Sequence, residues 1–276
     1  MSAPLQVAVT GPFDDPRSPA LRFLQEAARL GEVTVLLWPD DAARQLDGKP
    51  VKFPLAERAY FLQALRYVKR VLPAAGLFAA NSLPRAPGFQ PGLWAVEEAR
   101  AGPAQREFCE KQGLPWRVFG GEQLRGWPPA ANPPAPAGVP RRKVIVTGTF
   151  DWFHSGHVRF FEEAAGFGDL SVVVGHDANI RLLKGAGHPL FPQEERRYMV
   201  QSIRFVTEAL ISTGQGWLDA APEIERLKPD IYAVNEDGDQ GGKREYCRDR
   251  GIEYLVLKRL PAPGLPRRSS TDLRGF

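Results

Sequence analysis

The sequence predicts an α/β protein built from two tandem Rossmann-like domains, each a three-layer α/β/α arrangement around a parallel sheet. Three observations carry this prediction. The chain repeats itself, each repeat alternates short apolar runs with amphipathic stretches, and a proline-rich segment separates the two copies. With 276 residues, 43% of them hydrophobic and 25% charged, the chain has enough apolar material for two folded cores.

The two copies can be aligned over long stretches. Residues 7–46 match residues 144–183 without a gap and are identical at 17 of 40 positions. After a shift of one residue, residues 53–68 are identical to residues 191–206 at eight of 16 positions. Collinear identity at this level indicates a tandem duplication.

A proline-rich segment lies between the copies. Residues 128–140 contain six prolines in 13 positions, and proline is incompatible with both a helix interior and a central strand. The sequence therefore predicts a first domain over 1–127, a linker over 128–140 and a second domain over 141–276.

The elements of the second copy follow from local patterns. Short β-branched apolar runs predict strands, whereas apolar residues spaced three and four apart predict helices. The predicted strands are 143–147, 170–174, 209–212, 231–234 and 254–257, and the predicted helices span about 155–166, 193–206, 217–227 and 242–249. In such a fold we expect the ligand at the carboxyl ends of the strands, where the strand order reverses.

Charge, hydropathy and cysteine content argue against several classes of protein. The 36 Lys and Arg exceed the 32 Asp and Glu, but the basic residues are scattered and form no stripe interleaved with aromatic residues, as a nucleic-acid surface would. No apolar run approaches the roughly 18 residues of a membrane span. The first six residues lack the pattern of a secretory signal, and two cysteines cannot build a disulfide framework, so we expect a cytoplasmic protein.

The duplication supplies an internal control. Residues kept in both copies are explained by the fold, whereas residues found in one copy are candidates for chemistry. Gly148, Phe150 and Asp151 recur in the first copy, and Asp151 is predicted to close the turn after the first strand or to cap the helix. All four histidines of the chain lie between residues 154 and 188.

Two of these histidines open the first helix of the second copy. His154, Gly156 and His157 lie where the first copy carries Arg17 and Ala20 in place of the imidazoles. A helix start attracts phosphate through its free N–H groups and partial positive charge. Two imidazoles would add hydrogen-bond donors, and the glycine would let phosphate approach the backbone. The alternative is a pair of surface histidines.

Three further positions are candidates for phosphate or nucleotide contacts. Lys184 aligns with Asp47, and this charge reversal favours a phosphate ligand over a solvated loop lysine. Arg196 aligns with Arg58, so it serves either the fold or the phosphates. Asp237 follows a predicted strand, where it belongs either to a nucleotide site or to an ordinary acidic turn.

The segment before the C-terminus has no counterpart in the first copy. Arg267, Arg268, Ser269, Ser270 and Thr271 place two guanidinium groups beside hydroxyls at a helix start. Such a cluster would bind a triphosphate through bidentate and backbone hydrogen bonds. The alternative is a plain helix cap.

The motif at residues 147–157, Thr-Gly-Thr-Phe-Asp-Trp-Phe-His-Ser-Gly-His, resembles the signature of the cytidylyltransferase-like branch of the nucleotidyltransferase superfamily. That branch, with a HIGH-type Rossmann-like fold, includes glycerol-3-phosphate and ethanolamine-phosphate cytidylyltransferases and heptose-phosphate adenylyltransferases. Residues 181–189 are similar to its basic loop, and residues 268–273 to the Ser-Ser-Thr segment before its last helix. The chain ends at Phe276, so little of that helix is expected.

The resemblance implies a biosynthetic transferase that moves CMP or AMP from CTP or ATP to a phosphorylated acceptor and releases pyrophosphate. It implies that only the second domain is active and that Mg²⁺ accompanies the nucleotide, with the metal ligands unknown. The alternative is a non-catalytic nucleotide-binding regulator. The implied catalytic residues are His154, His157, Lys184 and Arg196, and the implied nucleotide-binding residues are Gly148, Thr149, Phe150, Gly156, Asp237, Arg267, Arg268, Ser269, Ser270 and Thr271.

The first copy lacks the signature histidines and is predicted to be a degenerate domain. Duplicated domains often preserve the two-fold contact of an ancestral homodimer, so we expect it to pack on the second as half of a pseudo-dimer, with further homo-oligomers open. The partners expected are a nucleoside triphosphate and an anionic acceptor, without nucleic acid or membrane.

Overall fold

The structure, a computed structural model, describes residues 3–76, 78–129 and 141–273. The chain divides into two compact units, Met1–Gly126 and Trp127–Phe276. Most of the predicted linker, residues 130–140, lies outside the described residues, and so do the last three residues of the chain. The two units are described one at a time below.

The first unit alternates strands and helices. Its elements are β1 (Gln6–Gly11), α1 (Ser18–Ala28), β2 (Glu32–Leu37), α2 (Asp40–Asp47), α3 (Leu55–Gln63), β3 (Arg70–Pro73), β4 (Leu93–Glu97), α4 (Pro103–Gln112) and β5 (Trp116–Phe119). Helix α4 begins with Pro103, whose fixed φ suits a first helical turn, and ends at Gly113 in the left-handed conformation.

The second unit repeats this order. Its elements are β6 (Lys143–Gly148), α5 (Ser155–Ala165), β7 (Asp169–Val174), α6 (Asp177–Lys184), α7 (Gln193–Gln201), β8 (Val206–Ile211), α8 (Ala221–Leu227), β9 (Ile231–Asn235), α9 (Lys243–Asp249), β10 (Glu253–Leu257) and α10 (Ser270–Leu273). No helix within the described ranges has both the length and the apolar character needed to cross a membrane.

Both sheets are parallel and share one strand order. The first runs β3-β2-β1-β4-β5 and the second β8-β7-β6-β9-β10. In the second sheet, Val144 is in register with Leu170 on one side and with Ile231 on the other. These two five-stranded sheets with flanking helices confirm the predicted Rossmann-like α/β fold. The strand order reverses between β6 and β9, which opens a crevice at their carboxyl ends.

The core of the second unit lies on both faces of its central strand. Val144, Ile145 and Val146 of β6 are all buried, as expected for a strand covered by helices on both sides. Ile145 packs with Val173 and Tyr232 in one buried cluster. Burial of each such side chain contributes about 1.5–3 kcal/mol, which holds the carboxyl ends of the strands in fixed positions.

A buried arginine joins the loops at the carboxyl edge of the second sheet. Arg196 is 1% exposed, and its guanidinium donates to the carbonyl oxygens of Phe191 at 2.9 Å, Thr149 at 2.5 Å and Gly175 at 2.7 Å. It also pairs with Asp177 at 2.8 Å. One side chain thereby connects the turn after β6, the end of β7 and the segment before α7.

The first unit has the same anchor. Arg58, also 1% exposed, donates to the carbonyl oxygens of Phe53, Pro12 and Trp38 and pairs with Asp40 at 2.5 Å. The equivalence of the two sets of contacts indicates that this arginine belongs to the scaffold. The sequence left two roles open for Arg196, and these contacts are the ones expected for a role in the fold.

An aspartate closes the turn on the same side. Asp151 accepts hydrogen bonds from the backbone N–H groups of Leu190 and Phe191, at 2.8 and 3.0 Å. Asp14 does the same in the first unit for the two residues that align with them. The predicted turn-closing role of Asp151 is confirmed.

Three element boundaries differ from the sequence-based expectation. Residues 181–184, expected in a loop, form the last turn of α6, which ends at Gly185. Helix α7 ends at Gln201 rather than near Val206, because Val206 starts β8 and pairs with Leu170. The helix expected over 217–227 is divided into a short 3₁₀ turn at Gly216–Leu218 and helix α8.

The anchor leads to a prediction about stability. We expect Arg196→Lys to lower the free energy of unfolding of the second unit by about 2–4 kcal/mol, because a lysine cannot reach all three carbonyl oxygens and a buried acceptor left unpaired costs about 1–3 kcal/mol. Arg58→Lys is the matched variant and should destabilise the first unit by a similar amount. Urea denaturation followed by circular dichroism measures both. If Arg196→Lys loses activity but keeps the wild-type urea transition, Arg196 binds phosphate rather than supporting the fold.

Candidate active site

A cleft opens at the carboxyl ends of β6 and β9, where the strand order reverses. It has a volume of about 220 Å³. Ten of the residues that the sequence and the resemblance single out line it: Gly148, Thr149, Phe150, His154, Gly156, His157, Lys184, Asp237, Ser270 and Thr271. The structure therefore brings most of the candidate residues to one place.

The turn that leads into the cleft is held in an unusual conformation. Phe150 has φ of 51°, in the left-handed region that is costly for a residue with a side chain. Its ring packs edge-on against Phe161 and His157. Gly148 makes room for that ring, since a Cβ atom there would lie 2.8 Å from it. Phe13 has the same positive φ in the first unit, so this conformation belongs to the fold.

The two imidazoles of the motif are stacked at the start of α5. The ring centroids of His154 and His157 are 4.0 Å apart. Nδ1 of His154 accepts from the backbone N–H of Gly156 at 3.0 Å, and Nδ1 of His157 accepts from the backbone N–H of His154 at 3.3 Å. A neutral ring that accepts at Nδ1 carries its proton on Nε2. Both rings are therefore oriented as Nε2–H donors.

Gly156 serves this arrangement directly. A Cβ atom at this position would lie 2.9 Å from Cε1 of His154. The glycine between the histidines therefore leaves room for the first imidazole to fold back onto the helix start. This steric reason is additional to the close approach of phosphate that the sequence suggested.

His157 is held in its neutral form. Desolvation is the main cause that lowers its pKa well below the usual value, followed by the charges of His154, Arg259 and Lys184. The ring is stacked on Phe153 and touches Phe150 edge-on, which limits its access to water. His154, Arg259 and Lys184, which are positive or can become so, thus lie close enough to His157 to influence its charge.

The C-terminal segment reaches the same place. Ser270 and Thr271 line the cleft, and the Ser270 hydroxyl donates to the carbonyl of Trp152 at 3.1 Å. Ser269 caps the short helix α10 by accepting from the backbone N–H of Asp272 at 3.2 Å. The main chain at Arg268 lies 3.7 Å from where a Cβ atom of Gly156 would be. The hydroxyl segment and the imidazole pair therefore border one space.

The two arginines of that segment lie just outside the cleft. Arg267 and Arg268 line a smaller neighbouring pocket, which shares Gly156 and Arg259 with the cleft. Arg196 does not line the cleft and remains at the anchor described above.

Two cations of the site were not singled out from the sequence. Arg259 pairs with Asp237 through Nη1 and donates through Nη2 to the carbonyl of Arg268 at 3.2 Å. Lys243 also lines the cleft and donates to the carbonyl of Gly238 at 3.0 Å, and its pKa is lowered mainly by desolvation. In the aligned first copy, Gln105 lies opposite Lys243, so comparison of the copies could have found this lysine.

No group of three or more His, Cys, Asp or Glu side chains that could hold a metal ion occurs in the part of the chain that the structure describes. Asp237, the carboxylate that the sequence suggested for the nucleotide site, already pairs with Arg259. A metal ion in this cleft would therefore take most of its ligands from phosphate oxygens and water.

Known proteins resemble the second unit. Residues 145–275 match the family model described as Cytidylyltransferase-like. The chain is 40% identical over 120 residues to the FAD synthase of Ferroglobus placidus, an alignment that covers 42% of this chain and 75% of that relative. The chain belongs to the cytidylyltransferase-like family. It is a nucleotidyltransferase, and the predicted transferase class is confirmed.

Other relatives of this cytidylyltransferase-like protein carry the same name. The FAD synthase of Methanoculleus marisnigri is 34% identical over 127 residues, which cover 45% of this chain and 79% of that relative. The FAD synthase of Pyrococcus abyssi is 36% identical over 128 residues, which cover 45% and 84%. A solved structure of a lipopolysaccharide core biosynthesis protein from Thermoplasma volcanium is 22% identical with a TM-score of 0.37, covering 46% of this chain and 98% of that one.

The lowered pKa of His157 leads to a prediction about pH. Between pH 6.5 and the lower folded-state pKa, the unfolded chain binds a proton that the folded chain does not. The free energy of unfolding should therefore fall by up to about 1.4 kcal/mol for each pH unit below 6.5 and level off above it. In His157→Asn this contribution disappears. Urea denaturation of both proteins at pH 5.5 and 7.5 measures it, and equal pH dependence in the two proteins would contradict the neutral imidazole.

Proposed function

We propose that this nucleotidyltransferase is an adenylyltransferase that joins the AMP part of ATP to FMN and so forms FAD. The observation that carries the proposal is the meeting of the imidazole pair and the C-terminal hydroxyls in one cleft, within a unit similar to proteins named FAD synthase. Those relatives favour ATP over CTP. FMN is a phosphorylated acceptor of the kind expected from the sequence.

The reaction would proceed without a covalent enzyme intermediate. A phosphate oxygen of FMN attacks the α-phosphorus of ATP, the bond from that phosphorus to the oxygen bridging to the β-phosphate breaks, and pyrophosphate leaves with the electron pair. The reacting groups are all anionic, so their mutual repulsion opposes the approach. The protein's contribution is therefore charge neutralisation and in-line positioning.

The residues of the cleft supply these two contributions in different ways. The Nε2–H groups of His154 and His157, beside the N-terminus of α5, give directed hydrogen bonds to phosphate oxygens. Lys184 and Arg259 supply positive charge near the same point, where both lower the pKa of His157. Of these, Arg259 also pairs with Asp237, which fixes its guanidinium at the edge of the cleft.

Mg²⁺ fits this site as a companion of the triphosphate. Its usual ligands are oxygens, and it keeps several waters and substrate phosphates in its coordination shell. When bound, the ion would neutralise charge on the phosphate oxygens. The hydroxyls of Ser270 and Thr271 and the guanidinium groups of Arg267 and Arg268 would hold the far phosphates.

We propose that an exposed tryptophan, packed on the segment that leads to Lys243 of the cleft, is the platform for the flavin ring. Trp217 is 57% exposed, although its turn is held firmly. Asn179 exchanges two hydrogen bonds with the backbone of Gly216, at 2.7 and 3.0 Å. The side chain lies against Gly241, where a Cβ atom would be 2.7 Å from Trp217 Cβ, and Gly241 is two residues from Lys243 of the cleft.

We also propose that only the second unit is catalytic. In the first unit Arg17, Ala20 and Asp47 lie at the positions of His154, His157 and Lys184. These residues cannot reproduce the pair of imidazole donors. The first unit is then a degenerate copy that retains the fold.

The first test of this function is turnover with defined substrates. We expect FAD and pyrophosphate from ATP, FMN and Mg²⁺, and a loss of about 100-fold in kcat for His154→Ala and for His157→Ala. Arg17→Ala, at the position aligned with His154, is the matched control and should keep wild-type turnover. Chromatography of the flavin products measures the reaction. Transfer of CMP from CTP without AMP transfer, or full activity of the double histidine variant, would overturn the assignment.

The second test concerns the flavin ring. We expect Trp217→Ala to raise KM for FMN about three- to tenfold, because an aromatic stacking contact contributes about 0.5–1.5 kcal/mol. KM for ATP and kcat should change little, and Trp217→Phe should recover part of the affinity. Phe167, 44% exposed at the amino end of β7, provides the control variant Phe167→Ala. If the KM for FMN of Trp217→Ala equals that of the wild type, the indole does not contact the acceptor.

A further inference from the structure

The first unit contains a cavity at the same place in its fold as the active-site cleft of the second. It lies at the carboxyl ends of β1 and β4 and has a volume of about 370 Å³, within the usual range of small-molecule sites. The cleft of the second unit is smaller, at about 220 Å³. Ala20 lines the first cavity at the position of His157, so space that an imidazole fills in one unit is open in the other.

The first cavity is not built for phosphate. Asp15, which takes the place of Trp152, pairs with Arg17 at 2.5 Å and with Lys52 at 2.8 Å. The charge at the position of Lys184 is reversed to Asp47. Four acidic and three basic residues line this cavity, whereas two acidic and three basic residues line the cleft of the second unit. The imidazole pair and the lysine at the position of Lys184 are thus absent, and Arg17 and Arg100 are paired with carboxylates.

Three aromatic residues are among those that line it. Trp38, Trp94 and Phe23 line the cavity, and all three are rigidly buried in the core behind it. The guanidinium of Arg100 lies 5.6 Å from the centre of the Trp38 ring and pairs with Asp47 at 3.7 Å. A partly apolar lining with a paired cation at the rim suits an uncharged ligand.

One carboxylate faces this space with its acceptors unused by the protein. Glu97 ends β4 and lines the cavity, and among the described residues its side chain accepts no hydrogen bond. Burial raises the pKa of Glu97, and the positive charge of the nearby Arg100 lowers it. In the second unit the aligned residue is Asn235. A carboxylate pairs best with two adjacent N–H donors on one edge of a ligand.

We propose that the cavity of the first unit is a second ligand site, which takes an uncharged nucleoside-sized heterocycle that presents two adjacent N–H donors to Glu97. The edge of guanine, with its N1–H and N2–H, has this chemistry. The site is separate from the transferase centre and does not depend on which acceptor that centre uses. After the duplication, one pocket would bind an anionic nucleotide and the other an uncharged base.

The test is isothermal titration of the full chain with guanosine and with inosine, which lacks the N2–H donor. We expect guanosine to bind at least tenfold more tightly than inosine, and Glu97→Gln to weaken guanosine binding at least tenfold. Ala80→Trp, a change at an exposed residue of the cavity wall, should block guanosine independently of Glu97. Both variants should keep the wild-type turnover of the second unit, and a wild-type urea transition of the first unit, followed by circular dichroism, shows that this unit remains folded.

Three results would overturn the proposal. One is the absence of guanosine binding to the wild-type chain. Another is guanosine binding that survives both Glu97→Gln and Ala80→Trp, since the nucleoside would then occupy another site. The third is binding of GMP as tight as that of guanosine and abolished by Glu97→Gln, which would show that the cavity accepts phosphate after all. Each result is independent of whether the second unit makes FAD.

Discussion

The guanidinium of Arg196, enclosed at the carboxyl edge of the second sheet, holds three segments together. It binds the carbonyl of Thr149 in the turn after β6, that of Gly175 at the end of β7, and that of Phe191 before α7. The turn after β6 sets where α5 begins. The direction of both imidazoles at the start of that helix therefore depends on this buried cation, although it does not line the cleft.

The same constraint explains why two units with different chemistry keep the same pocket. Arg58 fixes the corresponding turn of the first unit, so the crevice between β1 and β4 persists whatever side chains line it. The scaffold and the ligand chemistry are carried by different residues, since the anchors are buried behind the turn and the variable groups face the opening. The charge reversal from Lys184 to Asp47 changes the charge at the opening, whereas the strand order of the two sheets is the same.

The sequence predicted the parts of this protein that are determined locally or recorded twice. Duplication made the division into two units visible, and apolar runs located the strands, because burial of β-branched residues follows from the local pattern. The role of Arg196 could not be decided from the sequence because its hydrogen-bond partners lie up to 47 residues away along the chain. Arg259 was missed for a related reason, since the placement of a side chain beside a cleft follows from how distant loops come together. No local pattern records that placement.

The charge balance of the cleft links nucleotide binding to the proton state of His157. In the free protein, desolvation together with the charges of His154, Arg259 and Lys184 keeps this imidazole neutral. The proposed triphosphate, bound with Mg²⁺, would add net negative charge beside the three cations that line the cleft, Lys184, Lys243 and Arg259. Negative charge beside the ring favours its protonated form, so the proposed nucleotide would oppose the desolvation that keeps His157 neutral.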